Sequence, residues 1–271
     1  MDRYAVFGNP IAHSQSPRIH ALFAEQTGET LDYQRTLVAK GGFAEQAAAF
    51  FASGGRGLNV TVPFKEDAVD FADALTARAQ LAGAVNTLAL RDDGSVLGDN
   101  TDGAGLMLDL ARLGWTPRTG RVLVVGAGGA ARGIMQPLLA SAPASVVVAN
   151  RTLEKALALA AHFASEGPLT AAALDALGEP FDLIINATSS ALQGEAPPLP
   201  DTAITSTTRA YDLMYAAQPT PFMRWAEQKG ARQTSDGLGM LVGQAAESFA
   251  LWRGKMPSIK PVLATLRESI R

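Results

Sequence analysis

The stretch Arg121-Val-Leu-Val-Val-Gly-Ala-Gly-Gly-Ala-Ala-Arg132 decides how this chain folds. The apolar run after Arg121 reads as a buried parallel strand, and Gly126-x-Gly128-x-x-Ala131 opens the helix behind it. Gly126 permits a tight turn, Gly128 lets backbone come close to a pyrophosphate, and Ala131 lets helix and strand pack closely. The free N–H groups of the helix's first turn then face the anion. Taken alone, the same fingerprint also describes a merely glycine-rich turn. Here a second apolar run, Ser145-Val-Val-Val-Ala-Asn150, follows and completes a strand–helix–strand unit. The ligand such a unit implies is a dinucleotide.

The end of the second strand selects which dinucleotide. NAD-binding proteins keep an acidic residue there for the ribose 2′-hydroxyl. This chain has Asn150-Arg151-Thr152, with Lys155 one turn further on. A carboxylate would repel a 2′-phosphate, whereas a guanidinium, a hydroxyl and an ammonium bind one through charge-assisted hydrogen bonds. Two cations in a first helical turn also oppose the macrodipole unless an anion sits among them. The plainer alternative is an ordinary solvated helix start. The expected cofactor is NADP rather than NAD.

Composition narrows the class. A chain of 271 residues, 47% hydrophobic and 18% charged, fits a globular enzyme of two domains with well-buried sheets. Net charge is −3 without a long basic run, which argues against nucleic acid. The absence of cysteine excludes disulfides, thiolate metal sites and a cysteine nucleophile. His13, His20 and His162 do not pair at metal-ligand spacing, so no metal is expected. The N-terminus runs straight into a strand without a signal-peptide pattern, and no window reaches the ~18 uninterrupted apolar residues of a membrane helix. A cytoplasmic protein without a membrane partner is expected.

Residues 1–102 alternate strand and helix as a module of their own. Strands are expected over 4–7, 31–38, 57–61 and 85–90, the last turned by Asp92-Asp93-Gly94, and helices start at Pro17 and span 43–51. A helix over 103–113 connects to the glycine-fingerprint module, whose strands are expected over 122–125, 146–149, 183–186 and 210–213. Repeated βα units of this kind build a doubly wound parallel sheet. Pro137 falls inside the first helix of that module, Pro197-Pro198 and Pro200 suggest an exposed loop, and a helix over 240–252 and a last helix framed by Pro257 and Pro261 and ending near Arg271 close the chain. The fold class is thus α/β in two domains.

Several polar residues fall at first-module strand ends, where open α/β sheets place ligands. Ser14 and Ser16 can both point at one carboxylate or diol, while Ser16, directly before Pro17, is also in the place of a helix N-cap. Lys65 ends Asn59-Val-Thr61-Val-Pro-Phe-Lys65 and reads either as a snorkelling surface lysine or as a functional ammonium. Asn86-Thr87 interrupts an apolar stretch. Asp102 either caps the helix that follows or orients Lys65 and holds a substrate hydroxyl.

With these residues the chain resembles shikimate dehydrogenases from end to end. The matching stretches are Gly8-Asn-Pro-Ile-Ala-His-Ser-Gln-Ser-Pro17, Asn59-Val-Thr-Val-Pro-Phe-Lys65, Ala82-Gly-Ala-Val-Asn-Thr87 and Gly98-Asp-Asn-Thr-Asp-Gly103. They continue through Gly126-Ala-Gly-Gly-Ala130, Asn150-Arg-Thr152, Asn186-Ala-Thr-Ser189 and Asp236-Gly-Leu-Gly-Met240.

The resemblance implies NADPH-dependent reduction of 3-dehydroshikimate to shikimate in aromatic amino-acid biosynthesis. It also implies that the C-terminal helices fold back, so that 1–102 and 238–271 form a discontinuous substrate domain and 103–237 the Rossmann-type NADP domain. Lys65 and Asp102 are then the catalytic pair. Ser14, Ser16, Thr61, Asn86, Tyr215 and Gln244 join them in holding substrate. Gly126, Ala127, Gly128, Gly129 and Ala130 take the pyrophosphate, Asn150, Arg151, Thr152 and Lys155 the 2′-phosphate side, and Leu213 and Gly237 the nicotinamide side, with Thr188 a further cofactor contact. Lys155 stands where the family often has arginine, Leu213 replaces a common methionine, and Ala77 occupies an often acidic position and carries no cofactor role here. Relatives occur as monomers and homodimers. Two alternatives stay open: a quinate/shikimate dehydrogenase of relaxed specificity, and a non-catalytic NADP-binding sensor.

Overall fold

The computed structural model describes residues 1–270. The chain divides into two compact units, Met1–Gly105 with Val242–Ala264, and Leu106–Leu241 with the described residues from Thr265 on.

The first unit is built on a six-stranded mixed sheet. Its elements are β1 (Asp2–Gly8), α1 (Ser16–Thr27), β2 (Leu31–Leu37), α2 (Phe43–Ala52), β3 (Gly55–Val60), α3 (Asp67–Phe71), β4 (Ala74–Leu75), α4 (Ala77–Ala82), β5 (Thr87–Leu90) and β6 (Val96–Asp99). Strand order is β2-β1-β3-β5-β6-β4. β1 runs parallel to β2 and β3, while β5 is antiparallel to β3 and β6. Residues 4–8 of β1 are buried without a break, because both sheet faces are covered. Alternate side chains accordingly enter different cores: Ala5 and Phe7 pack with Phe43, Leu58, Phe64 and Leu88, whereas Tyr4 and Val6 pack with Ile11 and Tyr33.

The second unit is a parallel sheet. β7 (Arg121–Val125), α6 (Gly129–Ala140), β8 (Ser145–Asn150), α7 (Leu153–His162), β9 (Leu169–Ala173), β10 (Leu183–Asn186), β11 (Arg209–Asp212), α8 (Pro221–Gln228) and β12 (Gln233–Ser235) follow in turn. Strand order is β12-β11-β10-β7-β8-β9, every pair parallel. The chain therefore starts in the middle of this sheet at β7, moves to one edge, and returns to β10 on the other side of β7. That reversal is the switch point at which doubly wound sheets bind dinucleotides. Leu123, Val125, Ala149, Ile184 and Ala210 form one face of the core with Phe222 of α8. Thr220 starts α8 by accepting the Met223 N–H, with Pro221 in the first turn. Helices α5 (Asp102–Leu113), α9 (Leu238–Arg253) and α10 (Ile259–Ile270) each contribute residues to both units.

Several elements have no clear signature in the sequence. β9 is Leu-Thr-Ala-Ala-Ala, an alanine-rich run without strand preference, and becomes a strand because β8 offers it an open parallel edge. β12 is three polar residues on the other edge. The short α3, β4, α4 and β6 are too brief for a hydrophobic period to register. The proline-rich loop after β10 is not simply exposed: Pro197 is buried and Leu199 packs into the second unit's core. Pro261 lies inside the first turn of α10 rather than before it, where its missing N–H costs little. The expected helix end at Arg271 lies outside the described residues.

His20 of α1 is completely buried, stacked on Tyr33 with ring centroids 4.4 Å apart, and neither ring nitrogen has a hydrogen-bond partner among the described residues. Burial pulls its pKa from the ordinary 6.5 down to about 3. Between those two values the unfolded chain binds a proton that the folded chain refuses, so stability falls as pH falls through that window. The slope from this one group is about 1.4 kcal/mol per pH unit. Urea unfolding between pH 6.5 and pH 5 should therefore show a shallower pH dependence for His20→Leu than for the parent chain. Parallel slopes would remove His20 as the cause.

Candidate active site

Sheet register in the first unit gathers three loops at one edge. Asn59 of β3 is paired with Thr87 of β5, and Thr87 with Asp99 of β6. The residues after Val60, before Thr87 and after Asp99 consequently leave the sheet side by side. Backbone bonds join them: Val85 N–H to Lys65 O at 2.9 Å, Asn86 N–H to Asp99 O at 3.0 Å, and Val60 N–H to Asn86 O at 2.8 Å. Lys65, Asn86 and Asp102, spread over 38 positions of sequence, arrive within hydrogen-bonding reach.

The Lys65 ammonium donates to Asp102 Oδ2 at 2.5 Å, and the Asn86 amide donates to Asp102 Oδ1 at 2.7 Å. The two charged side chains are 26% and 12% exposed, so the pair is shielded yet reachable from solvent. Both carboxylate oxygens are thus engaged outside the backbone of α5. Asp102 is that helix's first residue, and its side chain is turned to Lys65 rather than used as a cap. Lys65 is no snorkelling surface lysine. Its ammonium carries three donors, of which Asp102 uses one. Gln244 of α9 reaches the same group, with its Oε1 3.4 Å from the Asn86 nitrogen. A Cβ on Gly105 would lie 2.4 Å from the Gln244 backbone nitrogen, so glycine at 105 is what permits that approach.

Ser14 and Ser16 sit in the loop after β1. The N-cap of α1 is Gln15, without a side-chain cap, and Ser16 is already helical. The capping alternative for Ser16 therefore fails. Ser14 Oγ instead donates to Ser16 Oγ at 3.2 Å and accepts the Ser16 N–H at 3.3 Å, while the Arg35 Nε–H ties down the Ser14 carbonyl at 2.8 Å. This loop joins the Lys65 loop through Asn9 N–H to Val62 O at 3.0 Å. Thr61 is half-buried, its methyl over Gly8, where a Cβ would lie 2.4 Å away. Tyr215 belongs to the second unit, half-buried, its phenol pKa raised by burial and then by the charge of Asp236.

The second unit holds a cavity of about 410 Å³ at the carboxyl ends of β7, β8 and β10. Gly126, Ala127, Gly128, Asn150, Arg151, Thr152, Lys155 and Thr188 line it. Gly126 has φ +108°, and a Cβ there would lie 3.1 Å from the Ala187 backbone. Gly128 and Gly129 have nothing within 4 Å of a Cβ position, and no side chain caps α6. Open helix N–H groups beside a side-chain-free surface are what a pyrophosphate requires. Arg151 and Lys155 are exposed and their side chains make no hydrogen bond or ion pair with any described residue, so both cations are free for an outside anion. Asn150 Nδ2–H donates to the Thr152 carbonyl at 2.9 Å, and Thr188 Oγ1–H to Asn186 Oδ1 at 2.7 Å. Gly129 and Ala130 open α6 without lining the cavity. Leu213 and Gly237 also lie off it but touch one another, since a Cβ on Gly237 would lie 2.1 Å from the Leu213 carbonyl oxygen. The donor set, the shape and the free charge fit a dinucleotide bearing a 2′-phosphate. Among the described residues no helix is long and apolar enough to cross a membrane, and no group of three His, Asp or Glu could hold a metal.

Comparison with known proteins matches three family descriptions along the chain. Residues 6–88 match the shikimate dehydrogenase substrate binding domain, 110–193 the shikimate / quinate 5-dehydrogenase model, and 237–267 the shikimate 5′-dehydrogenase C-terminal domain. A Cellvibrio japonicus protein named shikimate dehydrogenase (NADP(+)) is 56% identical over 270 residues, covering 99% of this chain and 98% of that protein. The crystal structure of an Ael1 enzyme from Pseudomonas putida superposes with a TM-score of 0.92 at 43% identity, covering 98% of both chains. The Thermus thermophilus shikimate 5-dehydrogenase, solved in complex with NADP(H) and shikimate, gives a TM-score of 0.89 at 36% identity over 99% of this chain and 100% of that one.

The two unpaired cations carry a direct binding prediction. Arg151→Ala should weaken adenosine 2′,5′-bisphosphate in calorimetry by roughly 10-fold or more, the worth of a charge-assisted hydrogen bond. Adenosine 5′-monophosphate should bind both proteins alike. Equal weakening of both nucleotides would place the 2′-phosphate elsewhere.

Proposed function

The chain belongs to the shikimate dehydrogenase family, and we propose that Lys65 and Asp102 carry its proton chemistry. It is an NADP-dependent oxidoreductase acting on CH–OH, and interconverts shikimate and 3-dehydroshikimate in the biosynthetic route to chorismate and the aromatic amino acids. The observation that carries this reading is the ammonium–carboxylate pair fixed by Asn86 at a sheet edge. A non-catalytic sensor has no use for such a pair.

In this reading residues 1–102 and 238–271 form the substrate domain and 103–237 the cofactor domain. Bound along Gly126 to Ala130, with its 2′-phosphate among Asn150, Arg151, Thr152 and Lys155, NADPH would supply hydride to the ketone carbon. Thr188, Leu213 and Gly237 complete that side. Lys65 gives a proton to the ketone oxygen as negative charge grows on it, and its ammonium is also the stabilising counter-charge. Asp102 aims the ammonium and accepts from a substrate hydroxyl. Asn86 holds Asp102 through Oδ1 and leaves Oδ2 to Lys65. Ser14 and Ser16 present two linked hydroxyls to the substrate carboxylate, and Thr61, Tyr215 and Gln244 hold ring hydroxyls. In the direction of oxidation Lys65 takes that proton back from the substrate hydroxyl. The partners are small molecules, the working form is a monomer or homodimer, and the setting is the cytoplasm, where the reduced cofactor is drawn.

Lys65→Ala should lower turnover of shikimate with NADP+ roughly 100- to 10,000-fold, the range of general acid–base catalysis. The NADP+ Michaelis constant should stay unchanged. Near-parental turnover would exclude Lys65 as the proton carrier.

A further inference from the structure

Behind the Lys65–Asp102 pair lies a buried run of polar side chains that the chemistry above does not use. Tyr33, Asn59, Thr87 and Ser248 are all buried, and their protons can be assigned from which atoms can only give or only take. The Tyr33 hydroxyl donates to Asn59 Oδ1 at 2.7 Å, which turns the Asn59 NH2 inward to Ser248 Oγ at 3.0 Å. Asn86 Oδ1 accepts the Thr101 backbone N–H at 2.9 Å, so that oxygen is the fixed acceptor end of the amide. The Thr87 hydroxyl, 2.9 Å from the same oxygen, must donate to it. The 2.8 Å contact between Thr87 and Ser248 then takes its proton from Ser248, shared with the Gln244 carbonyl at 3.0 Å. From Tyr33 to Asp102 every donor points the same way, ending at the Asn86 NH2 and the carboxylate.

We propose that Thr87 and Ser248 are positioning residues that lock the Asn86 amide with its NH2 on Asp102, leaving the other carboxylate oxygen to Lys65. Ser248 also ties the turn of α9 that carries Gln244 to the same knot. This rests on the reading of Asn86, Asp102 and Lys65 given above. Stability does not require either hydroxyl. With valine at 87, Asn59 keeps Ser248 and the Asn86 carbonyl at 3.2 Å, and Asn86 Oδ1 keeps the Thr101 N–H and the Thr101 hydroxyl at 3.1 Å. Neither that change nor Ser248→Ala strands a buried polar group, so each loses only the modest net worth of its own hydrogen bonds. What is lost is one restraint on the rotation of Asn86.

The test is steady-state kinetics of the full chain with shikimate and NADP+, alongside thermal unfolding. Thr87→Val should lower kcat/KM for shikimate by about tenfold or more, against the roughly 100-fold that a 1 Å misplacement can cost. The KM for NADP+ should hold and Tm should move by only a few degrees. Thr87→Ser, which keeps the hydroxyl, should recover most of the loss. Ser248→Ala should behave like the valine variant, and carries the test if Thr87→Val does not fold. Parental kcat/KM in both variants would overturn the proposal, as would a serine variant no better than valine or a loss that merely follows the unfolded fraction. A parental enzyme with no shikimate-dependent turnover would instead overturn the underlying functional reading.

Discussion

The contact between the Lys65 ammonium and the Asp102 carboxylate is the interaction on which the first unit's site depends. An ammonium and a carboxylate this shielded would each be costly to leave alone, and together they are tolerable only in good geometry with the remaining acceptor satisfied. Asn86 meets that condition by donating to the second carboxylate oxygen. The three residues come from separate loops, and what makes them neighbours is the pairing of Asn59 with Thr87 and of Thr87 with Asp99. A slip of one residue in either ladder would turn every side chain of that strand to the opposite face and part the group.

The second unit solves the opposite electrostatic problem. Here charge is left unpaired: the Arg151 and Lys155 side chains form no ion pair with any described residue, α6 starts without a side-chain cap, and glycine clears the surface before it. Each of these omissions weakens the unit slightly by itself. All three are offset together when a phosphorylated ligand arrives, which brings both the negative charge and the hydrogen-bond acceptors. In each unit the site lies at the ends of strands, where the sheet holds rigid positions and the loops supply chemistry.

Much of this was legible in residue order. The unbroken apolar run after Arg121, the glycines behind it and the cations after Asn150 locate the parallel sheet, its turn and its anion site because each is a local pattern. Lys65 and Asp102 were visible as polar residues at strand ends, with their pairing one of two readings that residue order alone could not decide. It depends on β6, whose Val-Leu-Gly-Asp run is too short to show a period, and on its register with β5. The same holds for β9 and β12, which exist because a neighbouring edge was open and not because Ala-Ala-Ala or Gln-Thr-Ser favours extension. Ser16 before Pro17 looked like a cap and is instead a helical residue bonded to Ser14. Ser248, a lone hydroxyl in an apolar helix, offered a signal whose meaning only the register of β3 and β5 reveals.

In the proposed function Lys65 and Asp102 meet at the oxygen borne by the substrate carbon that is oxidised or reduced. A crystal structure of the chain with shikimate bound measures this directly. The hydroxyl to be oxidised should lie about 3 Å from both Lys65 Nζ and an Asp102 oxygen, the reach required of a proton carrier. A complex in which that hydroxyl faces other groups, with Lys65 and Asp102 turned to solvent, would exclude the pair from the proton transfer.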